Sequence, residues 1–251
     1  MITGNEVAPT STALQARVAL FQPSQRPTLQ KNKHFITSYG ECSVTGRLGQ
    51  RHADLLEALL FCAEKKREIS DGGIELLVDP ANVRKTLSDS RYSYEQIEKL
   101  LVELRTATIT IRAKNLDFPI IGGLLDHVIP SPMTRPDPLS GGERNLWRVR
   151  LGIALVMLLE NDLSLYYTPA PLARLKHGVS QAVARHVLTH KNTPTGGWQM
   201  DTLIKAVYGN QTTPATIRKS RFNLKQDIEK LAEIGIEIDS KNRIKRSTTA
   251  R

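Results

Sequence analysis

Residues 213–246, TPATIRKSRFNLKQDIEKLAEIGIEIDSKNRIKR, constrain this chain more than any other stretch. Thr213 followed by Pro214 marks a helix start, because the Thr hydroxyl can cap free N–H groups and Pro at the first helical position loses nothing by lacking its own. Beyond it Ile217, Leu224, Ile228 and Leu231 fall on one stripe at about 100° per residue, and Arg218, Arg221 and Lys225 fall on an adjoining one. Lys219 lies off the cationic stripe. Gly235 ends the helix, Ile236 and Ile238 alternate around Glu237, and residues 239–242, which include Lys241, have turn composition. Arg243, Ile244, Lys245 and Arg246 can then run back antiparallel with Ile244 inward. The expected unit is one long helix followed by a basic hairpin, or wing.

A helix with a cationic stripe fits the major groove of duplex DNA, and a basic hairpin beside it reaches neighbouring phosphates or the minor groove. In that arrangement Arg218, Arg221 and Lys225 face the groove, with Arg suited to bidentate contact with guanine and Lys to phosphate. Lys219 contacts the backbone, and Lys241, Arg243, Lys245 and Arg246 form the wing. The competing reading is a solvated amphipathic helix with a frayed cationic tail, since charge runs are usually only solvated faces. Charge favours a polyanionic partner: the 251 residues carry a net +10 and a pI near 9.7. The smaller C-terminal part holds most of it, with 15 Lys+Arg against 8 Asp+Glu from Glu160 onward, +7 of the +10. Binding driven by such a surface weakens with salt.

Cys42 and Cys62 are the only cysteines, too few for a disulfide scaffold and not at metal-ligand spacing, which fits a reducing cytoplasm. No run of about 18 apolar residues occurs, and the first residues lack signal-peptide character.

Taken in order, residues 1–33 read as a flexible arm rich in Thr, Ser, Gln and Pro, with a short apolar element at 18–21. Residues 34–44 alternate as a strand, and 52–67 carry Leu55, Leu56, Leu59 and Leu60 at helical spacing, with Lys65, Lys66 and Arg67 expected at that helix's C-terminus. A strand at 74–78, a helix opened by Asp79-Pro80, and a helix capped by Ser93 with Ile97, Leu100, Leu101 and Leu104 inward come next. Residues 107–113 and 118–129 can pair as a hairpin. Residues 130–142, with four prolines, read as a linker. Residues 147–159 are apolar enough to be strand or buried helix, a choice periodicity leaves open. Helices are then expected around Leu172 and Leu175, at 179–187 and at 198–207, ahead of the stretch from Thr213. The order helix, helix, hairpin thus occurs twice. The expectation is an α+β, helix-rich chain of two tandem winged-helix domains, 34–135 and 136–251, behind the arm.

No catalytic, cofactor or metal set emerges. Residues 139–144, LSGGER, look like the signature loop of ABC-type ATPases, but no GxxxxGK[ST] phosphate loop occurs anywhere, so a glycine turn before a strand is the better reading. His186 and His190 stand four apart, a zinc spacing without a third ligand, and read as surface histidines near a helix end. Tyr166-Tyr167 lacks the histidine metal motif that tyrosine-dependent nicking enzymes need, and reads as packing. Two Trp, five Phe and six Tyr are too scattered for a stacking-dominated binder of single strands.

Over residues 34–246 the chain resembles the winged-helix replication initiators of bacterial plasmids. The segments that carry the resemblance are GRLGQRHADLLEALLFCAEKKRE (46–68), YYTPAPLARLKHGVSQAVARHVLTHKN (166–192) and the helix from Thr213. It implies a non-enzymatic protein that binds direct repeats at an origin and helps open it. It also implies a first domain that can dimerise, with monomers active and dimers repressing, and recruitment of a host helicase and host initiator. In that domain Gln96 and Lys99 on the helix, and Arg112 and Lys114 on its wing, are the matching DNA-facing positions, although Glu95, Glu98 and Glu103 leave the helix nearly neutral and able to face a protein. A transcriptional repressor built from the same parts and binding an operator is the alternative.

Overall fold

The structure is a computed structural model that describes residues 8–87, 92–137 and 141–247. Its elements are β1 (Ser11–Thr12), α1 (Ala13–Arg17), β2 (Gln30–Thr37), β3 (Gly40–Gly46), α2 (Gln50–Phe61), β4 (Ala63–Glu68), β5 (Ile74–Val78), α3 (Pro80–Leu87), α4 (Tyr94–Thr106), β6 (Thr108–Ala113), β7 (Ile120–Gly122), β8 (Leu125–Pro136) and β9 (Glu143–Leu151). They continue with α5 (Ile153–Asn161), β10 (Ser164–Leu165), α6 (Ala170–Ala173), α7 (Gly178–Leu188), β11 (Trp198–Gln199), α8 (Met200–Tyr208), a 3-10 turn, α9 (Pro214–Gln226), α10 (Ile228–Glu233), β12 (Ile236–Ile238) and β13 (Arg243–Arg246). The described residues are α+β, with four small antiparallel sheets among them, ordered β2-β3-β6-β7, β4-β5-β9-β8, β11-β13-β12 and β1-β10.

Buried apolar residues form two clusters. The first takes in α2, α4, α5 and the two four-stranded sheets, and the second takes in α7, α8, α9, α10 and the short C-terminal sheet. The change from one core to the other falls near residue 172. The boundary expected at 135/136 falls inside β8, where Arg135 and Pro136 pair with Arg144 and Glu143 of β9, so residues 130–136 are strand and not linker. Pro130, Pro132 and Pro136 are tolerated because β8 is an edge strand, where a missing N–H interrupts no ladder on its free side. The apolar run 147–159 divides into the end of β9 and α5, both in the first core.

Three further expectations are corrected. The N-terminal segment, from residue 8 onward, is packed: Leu14, Val18, Leu20 and Phe21 are buried, β1 pairs with β10, and the Leu14 N–H donates to Asp162 at 2.6 Å. Its polar average concealed an apolar cluster that outweighs the cost of ordering it. Residues 34–44 are not one strand, because the chain turns at residues 38 and 39 between β2 and β3. The helix from Gln50 ends at Phe61, and Lys65, Lys66 and Arg67 lie on β4, paired with β5 at the other edge of its sheet. Charged residues on an edge strand discourage pairing with foreign strands.

A buried polar network joins the cores. Arg185 on α7 donates through Nε and Nη2 to Glu57 at 2.7 and 2.8 Å, through Nη2 to Asp54 at 2.6 Å, and through Nη1 to Gln50 at 2.8 Å, all three acceptors being on α2. Tyr92 donates to Asp54 at 2.8 Å, Tyr167 to Glu57 at 2.6 Å, and Gln181 to Asp54 at 3.0 Å. Tyr167 is therefore a packing residue, as its sequence context suggested, while Tyr166 is exposed. The seam is satisfied at nearly every polar atom, which a buried ion cluster requires if it is not to destabilise.

Candidate nucleic-acid interface

Thr213 caps α9 through its hydroxyl, which accepts from the Thr216 N–H at 3.1 Å, and Pro214 occupies the first turn. The long helix is interrupted at Asp227, whose buried carboxylate turns inward to accept from the Lys176 and His177 N–H groups at 3.0 and 2.9 Å and from His177 Nδ1 at 3.0 Å. An Asp side chain spent on another helix's first turn, with its own backbone at φ −103° and ψ 12°, does not continue a helix. The break shifts the register, so Leu224 and Leu231 are buried as expected but Ile228 is exposed.

Inward of α9 lie Leu224, Ser220 and the half-buried Ile217. At 100° per residue the opposite face is centred on Phe222 and flanked by Arg218, Lys219 and Gln226, with Lys225 beside Arg218. Arg218, Lys219 and Lys225 are exposed, and Phe222 is 63% exposed. Arg221 is not on this outer face. It flanks α8, where its guanidinium embraces the Asp201 carboxylate with both Nε, at 2.6 Å, and Nη2. That hydrogen-bonded contact holds the Asp201 carboxyl below its ordinary range. A residue expected to be free for a base is thus already occupied.

The wing forms, with a third strand the sequence did not suggest: β13 pairs with β12 on one side and with β11 on the other, Trp198 opposite Ile244. Ile244 and Ile236 are buried and Lys241 and Lys245 exposed. Asp239 closes the turn by accepting from the Lys241 and Arg243 N–H groups, each at 2.9 Å, and hydrogen bonding from the Arg243 amide, then Lys241, lowers its pKa. Arg243 and Arg246 are half-buried and committed inward, Nη1 of the first to the Gly196 carbonyl at 3.3 Å and Nη1 of the second to the His190 carbonyl at 3.0 Å.

In the first core Ser93 caps α4, and Gln96 completes the box by accepting from the Ser93 N–H at 3.2 Å. Gln96, Lys99, Arg112 and Lys114 are all exposed, but they do not share one face. Arg112 pairs opposite Glu41 near the turn of the β2–β3 hairpin, whereas Gln96 and Lys99 stand beside Arg47, at the far end of β3, roughly 20 Å along the strand.

His186 and His190 are not surface residues at a free helix end. His186 is buried, and burial, then the nearby His190, push its pKa down to about 4. His190 Nε2 lies 3.0 Å from the Tyr39 hydroxyl, and Trp198 packs edge-on against the same ring. Among the described residues no group of three or more His, Cys, Asp or Glu side chains is placed to hold a metal ion, and no helix is long and apolar enough to cross a membrane. Leu139 and Ser140 of the LSGGER segment lie outside the described residues; beyond them Gly141 and Gly142 close a turn with Asp137.

The cations are not equivalent. On the β4-β5-β9-β8 sheet, Arg67 and Arg148 share Glu75, Arg135 meets Glu64, Arg144 meets Asp79, and Arg150 meets Asp71 and Asp126. Around α9 and the wing, Arg218, Lys219, Lys225, Lys241 and Lys245 have no acidic partner among the described residues. Unpaired charge is thus present on the exposed helix and hairpin.

No protein-family model matches the chain, and no curated protein matches it. Among solved structures, the crystal structure of RctB domains 2–3 is similar over 90% of this chain and 83% of that one, at 8% identity and a TM-score of 0.39. That is a coarse likeness of fold, and no residue role follows from it.

Proposed function

We propose that the chain is a sequence-specific duplex-DNA-binding protein that starts replication at repeated origin sites. The observation that carries this reading is the outer face of α9, where Arg218, Lys219, Phe222 and Gln226 stand exposed beside a hairpin presenting Lys241 and Lys245, with no close ion pair to these cations among the described residues. A helix of this kind enters the major groove, its Arg reading guanine and its exposed aromatic ring meeting a thymine methyl, while the hairpin lysines hold phosphates. The helices α7 to α10 with the β11-β13-β12 sheet in the second core, and helices with a hairpin in the first, support a reading as two winged-helix units. The tandem arrangement, with the resemblance of segments 46–68 and 166–192, favours an initiator over a repressor. On this reading the protein is not an enzyme, its partners are host replication proteins and a second copy of itself, and it works in the bacterial cytoplasm.

The test is selection of genomic fragments by the purified chain, followed by footprinting. Direct repeats protected at helical-turn intervals beside an AT-rich segment are expected. A single inverted repeat would instead make the chain a dimeric repressor, and the absence of any specific protection would overturn DNA recognition altogether.

A further inference from the structure

The segment expected to be a mobile arm is a strap between the cores. Residues 22–27 pass between the first turns of α2 and α7, and glycine stands at both crossings: a Cβ on Gly49 would meet the Ser24 carbonyl oxygen at 2.6 Å, and one on Gly178 would meet the Ser24 backbone at 2.5–2.7 Å. The Gln50 N–H donates to the Ser24 carbonyl at 2.9 Å, and the Gln25 amide donates to the Leu175 carbonyl at 3.0 Å. The strap is therefore held at Gln22, whose N–H donates to the Leu48 carbonyl at 3.0 Å, at Ser24 and at Gln25, and its Arg26 side chain is left exposed.

Arg26 lines two surface clefts at once. One lies between the strap, α2 and α4, and is bordered by Arg47, Arg51, Gln96 and Lys99; the other lies between the strap, the α7 start and α9, and is bordered by Lys176, Lys219 and Asn223. The residues lining both include one carboxylate, Glu103, already engaged by Arg47 at 3.5 Å and by His52 Nε2 at 2.8 Å. His52 Nδ1 accepts from the Gly49 N–H, so its proton sits on Nε2 and points at Glu103. Arg51 is positioned over the Tyr92 ring at 5.6 Å, and Arg26, Lys99, Lys176 and Lys219 have no acidic partner among the described residues. This is the reverse of the β4-β5-β9-β8 sheet, where each arginine has its carboxylate.

We propose that Lys99, Arg47, Arg51, Arg26, Lys176 and Lys219 form one continuous phosphate track, along which the sugar-phosphate backbone of a bound duplex runs from the first core across the strap to α9. This rests on the duplex-binding reading above and adds the surface by which the first core takes part. Lys219, on the flank of the outer face of α9 that borders the strap-side cleft, is where the track meets the reading helix. The rigid strap sets the distance between the two cores' contacts, so the footprint is longer than α9 and the wing alone can cover. Contacts of this kind position the protein without reading sequence.

The experiment measures the salt dependence of affinity and hydroxyl-radical footprints for the full chain on its selected site and on a random duplex. Each phosphate contact contributes about 0.9 to the slope of log K against log salt, so Arg26→Gln, Arg51→Gln and Lys176→Gln together should flatten it by about 2 to 3. Affinity should fall by a similar factor on both duplexes, and protection should shorten on one flank while base preference at the centre persists. Arg26→Glu alone, a side chain with no partner to lose, repeats the test with no burden on folding, which thermal unfolding checks. A wild-type chain that protects its site while the variants keep its slope and footprint would overturn the track and leave the duplex-binding reading standing. A wild-type chain with no specific protection would overturn both.

Discussion

Replacing Arg185 by Met keeps most of the stem volume and removes one cation from the seam between α2 and α7. The side chains of Arg185, Asp54 and Glu57 are 5%, 0% and 3% exposed, so the change leaves two carboxylates in a site that water does not reach. Tyr92 and Gln181 still bond Asp54, and Tyr167 still bonds Glu57, which softens the loss without removing the charge. Breaking a buried pair in this way costs about 3–5 kcal/mol. For a chain of this size that is a fall in midpoint of roughly 6–20 °C. The deficit should depend on pH. Burial already pushes the Glu57 carboxyl above its ordinary range against the opposing pull of Arg185, and without Arg185 only the weaker hydrogen bond from Tyr167 opposes it. A carboxyl whose folded pKa is raised holds its proton better in the native state, so the variant regains stability as pH falls and loses it as pH rises through that pKa. Urea unfolding of wild type, Arg185→Met, and the triple variant Asp54→Asn, Glu57→Gln, Arg185→Met at pH 5.5 and pH 8 decides the matter. The single variant should be weakest at pH 8, and the triple should recover part of the loss. A deficit below about 1 kcal/mol, the same at both pH values, would refute the reasoning, because that is the worth of an exposed pair.

The other predictions are independent of the seam charge. Gly178→Ala should lower stability by about 1–3 kcal/mol despite alanine's better helix propensity, because its Cβ meets the Ser24 backbone, and a rise in urea midpoint would mean the strap yields. His186 should make the protein acid-sensitive: with a folded pKa near 4 against about 6.5 unfolded, its contribution is complete above pH 6.5 and lost progressively towards pH 4, on the order of 3 kcal/mol in all. His186→Gln should flatten unfolding free energy against pH over that window, and an unaltered curve would remove His186 as the cause. Phe222→Ala should weaken specific binding about tenfold, or ~1.4 kcal/mol, with little effect on random duplex or on stability, since the ring is exposed. Equal loss on both duplexes would count against base contact by α9.

Several parts of the fold and the candidate interface were legible in the residues alone because their causes are local. Thr213-Pro214 caps α9, Ser93 caps α4, and the alternation of Ile236, Ile238 and Ile244 makes the wing; each depends on neighbours a few residues away. Phe222 could also have been noticed, as an aromatic residue off the buried stripe of a polar helix. The remaining features needed long-range partners. Which arginines are free turns on carboxylates far along the chain, Asp201 for Arg221 and Asp79 for Arg144, and composition cannot say which pairs meet. The interruption of the long helix at Asp227 follows from N–H groups fifty residues earlier that needed an acceptor. The N-terminal strap, read as a loose arm from its polar composition, is ordered because two glycines, at 49 and 178, let two helices close on the backbone of Ser24. Local sequence thus determined the exposed helix and the hairpin beside it. Tertiary packing decided which charges remain unpaired on the surface, because a charge is neutralised by whatever stands next to it in space.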